Sequence, residues 1–148
     1  MLASLAALVP ALPLAAALWL GTAILFGYAS GEIHERSTSR IVLAALGASC
    51  VSALILVVAR FTGALPDAVS FGRWLSSGNY RVDLVFATDA LSLTLAVLAS
   101  LLCLLVARFA VNYMHREAGL HRLLMVVSLL AAAMALLVTG GNAVLTFI

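Results

Sequence analysis

The chain has 148 residues, of which 65% are apolar and 9% charged, and its mean hydropathy is +1.20. A soluble domain carries about 25% charged residues, and a chain this short cannot bury so much apolar surface and keep a polar exterior. A soluble globular domain is therefore excluded, and the net charge of +2 gives no support for a nucleic-acid partner.

A transmembrane helix needs about 20 mostly apolar residues. The first uncharged run covers residues 1–31 and ends at Glu32. Pro10 and Pro13 within it are expected to kink a first helix or delay its start. No basic residue precedes this stretch, and it exceeds the about 7–15 apolar residues of a cleaved signal peptide, so a retained helix is expected. Residues 30–40 read as a short polar loop containing His34, Arg36 and Arg40, and a second run follows over residues 41–59.

The longer connection over residues 62–87 has a different pattern. Tyr80, Val82, Leu84 and Phe86 alternate with Arg81, Asp83 and Val85, the period of a strand. Val69, Phe71, Arg73 and Leu75 can supply the partner, with Ser76, Ser77, Gly78 and Asn79 as the turn. A β-hairpin on the membrane surface is expected. A third run starts after Asp89 and reaches Ala107, followed by a polar loop over residues 112–122 with His115, Arg116, Glu117, His121 and Arg122. The fourth run is uncharged to residue 148, but Gly140, Gly141 and Asn142 interrupt it, so a fifth helix is expected to begin at Asn142. The reading is an all-α polytopic membrane protein. Residues 1–148 form one region of four complete transmembrane helices plus the start of a fifth, with a surface hairpin between helices 2 and 3.

Few residues offer chemistry. Cys50 and Cys103 lie within apolar runs without partners at disulfide or metal spacing, as small residues at helix contacts do. Ser92, Ala96, Ser100, Cys103 and Ala107 recur every three or four residues, and Ser128, Ala132, Ala135 and Thr139 repeat the pattern. Such stripes let helix backbones approach closely in lipid. Ionisable groups inside a bilayer are functional candidates by default. Asp89 adjoins the third helix at its positive end, which suits an N-cap and leaves an ion-path role open. Arg108 is expected to anchor that helix by snorkelling to the headgroups. His34, His115 and His121 read as solvated loop or helix-entry residues rather than metal ligands. No catalytic residue, metal site or cofactor motif is assigned. All eight basic residues are Arg. Five of them (Arg36, Arg40, Arg108, Arg116 and Arg122) fall on the side of the first and third loops, against Arg60, Arg73 and Arg81 on the hairpin side. That asymmetry favours a cytoplasmic first loop, with the N-terminus and hairpin outside.

The stretch from Thr88 onward carries a specific series: Asp89, Leu91 and Ser92 opening a helix, Tyr113 and Met114 at its end, Gly119 and Arg122 before the next, and Asn142 beyond. In order and spacing this resembles the N-terminal region of the large antiporter-like subunit of respiratory complex I, the NuoL or chain 5 type. Relatives of that subunit occur in Mrp-type antiporters, membrane-bound hydrogenases and inorganic-carbon uptake systems. The chain departs from the family at Leu123 and Leu124, where two aromatics are common, and at Ala107, where some members have His. The resemblance implies about fourteen helices in all, with a proton path built on a Glu of the fifth helix and on later Lys and His residues. That Glu is expected a few residues beyond Ile148.

What the resemblance implies is a scaffold portion of a proton-translocating subunit in a complex I-type (NADH:quinone oxidoreductase-like) membrane complex. Its partners would be other membrane subunits, the lipid bilayer, and protons or sodium ions, with no cofactor bound by this chain. The alternative is an ion-conducting subunit of a cation/proton antiporter or an inorganic-carbon uptake system. Abundant Ala, Leu and Arg without Lys suggests a bacterial inner membrane.

Overall fold

The computed structural model describes residues 2–27, 32–63, 65–66, 68–77, 80–114 and 119–141; side chains at 2–3, 32–35, 71, 73–77 and 80–84 are outside that description. Helix α1 (Leu2–Leu25) has no ionisable side chain and contains both prolines. Proline delays nothing here, because the helix already runs from Leu2. Pro13 has no N–H to give the carbonyl four residues back, and that Val9 carbonyl instead accepts a 2.6 Å hydrogen bond from the Ser49 hydroxyl of the next helix.

Helix α2 (Glu32–Phe61) begins earlier than its polar sequence suggested. Residues 32–40 contain neither Gly nor Pro, so nothing in them breaks a helix. The expected polar loop is mostly the first turns of α2, and Thr38 and Ser39 within it are buried.

Strands β1 (Ala68–Ser77) and β2 (Tyr80–Ala87) pair antiparallel as the expected hairpin. Ser77 pairs with Tyr80, so the connection is shorter than the expected four-residue turn. The register shifts between Ser70 and Arg73 and again between Arg73 and Leu75. Between the first two lies Gly72 at φ 105°, a backbone conformation that favours glycine.

Helices α3 (Ala90–Tyr113) and α4 (Leu120–Thr139) complete the described elements. His121 and Arg122 belong to α4 rather than to the preceding loop, and the expected fifth helix at Asn142 lies outside the described residues.

The four helices form an antiparallel bundle in which α1 packs on α2 and α4, and α3 packs on the same two. One apolar cluster joins Leu20, Val42, Leu46, Ala107, Leu120 and Leu124. A second joins Val9, Ala53, Leu56, Leu93, Ala96 and Ala135 with Phe86 of the hairpin. The stripes of small residues lie in these contacts: Ala96, Ser100, Cys103 and Ala107 on α3, and Ser128, Ala132, Ala135 and Thr139 on α4, are all buried. Leucines such as Leu98, Leu102 and Leu105 on α3 and Leu129, Leu130 and Leu137 on α4 point outward instead. Each of the four helices is long and apolar enough to cross a membrane. The chain is a multi-pass membrane protein.

Candidate functional site

The candidate residues gather at the two ends of the bundle. At the hairpin end, Asp89 is the N-cap of α3, with φ −68° and ψ 159°, and its carboxylate accepts a 3.3 Å hydrogen bond from the Ser92 N–H. The Ser92 side chain is the largest influence holding the Asp89 carboxyl below its ordinary value of 3.8, outweighing burial, which acts the other way, and the backbone N–H groups of the first turn add to it. Asp89 therefore stands as a carboxylate at the helix entrance, occupied with capping. Leu91 is largely exposed and Ser92 half-buried.

The same end is tied to the hairpin. The buried Thr88 hydroxyl donates to the Pro66 carbonyl at 2.6 Å, and the Arg60 guanidinium donates to the Leu65 carbonyl at 2.9 Å. Beyond α4, the Gly141 N–H donates to the Val85 carbonyl at 2.9 Å, and Gly140 forms an antiparallel bridge with Phe86. A Cβ on Gly141 would lie 2.7 Å from that carbonyl oxygen and 2.9 Å from Val85 Cγ1. Only glycine lets the backbone approach β2 this closely.

The opposite end holds most of the remaining candidates. Arg108 is exposed in α3, and at 1.5 Å per residue it lies about 28 Å along the axis from Asp89. The two do not form one site. Tyr113 is exposed and stacks on Phe109, with ring centroids 5.6 Å apart and planes at 11°. Met114 caps α3, its N–H donating to the Ala110 carbonyl at 2.8 Å. Gly119 is the N-cap of α4 without a side-chain cap bond, and the Leu123 N–H donates to its carbonyl at 3.0 Å. Arg122 is exposed on α4, whereas Asn142 lies outside the described residues.

One expectation is corrected at this end. His121 is buried at 9% exposure, and its Nε2 has no hydrogen-bond partner. The sequence reads it as a solvated loop or helix-entry residue, and the structure keeps the helix entry but not the solvation. In the helix, however, it shares an inward stripe with Leu120 and Leu124, and only Arg122 turns outward. Ser39 of α2 is likewise buried with an unpartnered hydroxyl, and sequence reasoning missed it as part of a supposed loop. The side chains of His34 and His115 lie outside the description. Cys50 and Cys103 are buried free thiols at helix contacts. Ala107 is fully buried in the cluster that includes Leu20 and Leu124, a packed position where an imidazole would have to displace its neighbours. Among the described residues, no group of three His, Cys, Asp or Glu side chains stands close enough to hold a metal ion.

Comparison with known proteins locates the similarity on this same frame. Residues 74–124, from β1 through α3 into α4, match the family described as NADH-Ubiquinone oxidoreductase (complex I), chain 5 N-terminus. The chain is 28% identical to NAD(P)H-quinone oxidoreductase chain 5 of Synechocystis sp., over 100% of its own length and 22% of that protein. It is 27% identical to NADH-ubiquinone oxidoreductase chain 5 of Phytophthora infestans, over 68% of this chain and 15% of that one. Against NADH-quinone oxidoreductase subunit L of Pseudomonas aeruginosa it is 24% identical, over 80% of this chain and 20% of that one. The chain thus matches between 15% and 22% of the length of these relatives.

Proposed function

We propose that this chain, whose residues 74–124 match the family described as NADH-Ubiquinone oxidoreductase (complex I), chain 5 N-terminus, is the membrane scaffold portion of a proton-translocating, antiporter-like subunit. That subunit would work within a complex I-type membrane assembly. The observation that carries the reading is the coincidence of the family match with the elements that shape the bundle: the hairpin's second strand, the Asp89 cap, the small face of α3 and the entry to α4.

The chemistry of the helices supports a scaffold role. Ser49, Ser100, Ser128 and Thr139 each give their hydroxyl to a backbone carbonyl. Groups tied in this way satisfy the backbone in lipid and hold helices together, and they are not free to carry an ion. Asp89, the carboxylate before α3, caps that helix at its end. Proton movement by the whole subunit draws on ionisable side chains other than these hydroxyls and the Asp89 cap. Those side chains alternate in protonation as neighbouring charges shift their pKa values. The partners are other membrane subunits. The setting is a bacterial inner membrane, with the N-terminus and hairpin on the periplasmic side, in line with the excess of Arg at the opposite helix ends.

The test is purification of the full-length protein in mild detergent and identification of what accompanies it. Iron–sulfur and quinone-reducing subunits are expected. A soluble zinc-binding or antiporter partner in their place would overturn the redox-driven reading in favour of ion-coupled uptake or exchange.

A further inference from the structure

A groove of about 330 Å³ runs along the outer seam between α1 and α4. Its walls are Ala17, Leu18, Gly21 and Leu25 of α1 and Met125 and Leu129 of α4. The hollow exists because Ala17 and Gly21, one turn apart, carry almost no side chain, while Leu18, Leu25 and Leu129 stand exposed around them. Thr22 also lines it, but its hydroxyl already donates to the Trp19 carbonyl of its own helix at 2.8 Å. At 1.5 Å per residue the groove covers about 12 Å of α1, from Ala17 to Leu25. That is less than half of a hydrocarbon core about 30 Å thick. It lies in the half opposite the hairpin, where α1 ends and α4 begins.

Arg122 stands at the surface end of this groove. It is exposed and lies two turns before Leu129, on the same stripe of α4. Side chains lean toward the N-terminus of their helix, which for α4 is the membrane surface, so the guanidinium is carried to the level of the lipid phosphates. The sequence over residues 32–40 and 108–122 holds five Arg against three Glu. This end therefore keeps an excess of positive charge whichever of those residues pair with one another. An apolar channel below a cation complements a lipid with an anionic headgroup, whose phosphate gives the guanidinium a charge-assisted hydrogen bond. A protein helix suits the place less well. It would meet a hollow shorter than half a span, and it would strip water from Arg122.

We propose that the α1–α4 groove binds an anionic phospholipid. One acyl chain lies along Ala17, Gly21 and Leu129, and the headgroup phosphate pairs with Arg122. The site does not depend on the proton-translocating reading above.

The test uses the full-length protein in its complex, reconstituted in phosphatidylcholine liposomes that contain phosphatidylglycerol with a photoreactive diazirine in its acyl chain. After illumination, mass spectrometry of the digested protein locates the adducts. They are expected within residues 17–25 of α1 and 125–129 of α4. Unlabelled phosphatidylglycerol is expected to compete them away, and the same amount of further phosphatidylcholine is not. Arg122→Gln should lower this labelling about fivefold, and Arg122→Lys, which keeps the charge, should restore most of it. Thr22→Phe, which fills the groove with an exposed side chain, should abolish it. Adducts that phosphatidylcholine displaces as readily, or that Arg122→Gln leaves within about twofold of wild type, would mark an unselective lipid contact and overturn the site. A wild-type groove without adducts, beside a labelled outward face of α3, would mean that protein covers it and would overturn the site as well. If Arg122→Gln does not assemble, the competition between the two lipids on the wild type decides alone.

Discussion

Replacing Ser49 by Ala tests how the bundle accommodates a proline inside a membrane helix. Pro13 deprives the Val9 carbonyl of its helical donor, and Ser49 supplies one across the α1–α2 contact at 2.6 Å, where Val9 and Ser49 are each only 1% exposed. An interhelical hydrogen bond in a membrane protein contributes about 0.6 kcal/mol on average and about 1.7 at most. Leaving a buried carbonyl unpaired costs about 1–3 kcal/mol. Since no water competes at this depth, Ser49→Ala is expected to destabilise by about 1.5 kcal/mol, near the top of the first range. Pro13→Ala restores an N–H four residues after Val9, so in that background the same Ser49 change should cost less than about 0.5 kcal/mol.

The difference, a coupling of about 1 kcal/mol, is read by a double-mutant cycle, in which the volume lost with the proline ring appears on both sides and cancels. Reversible unfolding in mixed detergent micelles gives the four stabilities. Equal costs for Ser49→Ala beside Pro13 and beside Ala at that position would refute the reasoning. Ser49 would then matter only as a small residue at a close helix contact.

Gly141→Ala places a methyl group 2.7 Å from the Val85 oxygen, so the connection after α4 must move off β2 at a cost of about 1–3 kcal/mol; faster hydrogen exchange of the Gly141 and Phe86 amides, against an unchanged core of α3, is the expected signature. Asp89→Ala removes the α3 cap and should cost about 0.5–2 kcal/mol in the same unfolding assay, with Asp89→Asn close to wild type. Because the folded carboxyl sits below its ordinary value of 3.8, the wild type's advantage over Asp89→Asn is complete above that value and is lost as pH falls through the lower folded value. A wild-type advantage that instead grew on acidification below that value would refute the assignment. Ala107→His should destabilise by about 1–3 kcal/mol through overpacking of a fully buried site; a neutral effect would mean that the cluster around Ala107 has room that its burial denies.

What the sequence revealed and what it hid follow from the distance over which each feature is encoded. The spans, the hairpin and the small-residue stripes are written in local periodicity, and Ala96, Ser100, Cys103 and Ala107 were assigned to the α3 contact from spacing alone. Asp89 was legible as a cap because capping is settled within three residues, here between Asp89 and Ser92. The start of α2 was missed because polarity was taken for a loop, although a helix end that emerges from lipid is polar without ceasing to be a helix. The same confusion concealed Ser39 and His121. A charged neighbour such as Arg122 sets the average polarity of a segment, while burial is decided one residue at a time by the 100° turn between successive side chains. The doubled register shift in β1 had one local sign, Gly72, but its position depends on which residues of β2 are met across the pair. Likewise, the bond between Ser49 and the Val9 carbonyl joins residues 40 apart in sequence. Pro13 announces that a carbonyl needs a donor, and only the packing of α2 against α1 determines which hydroxyl provides it.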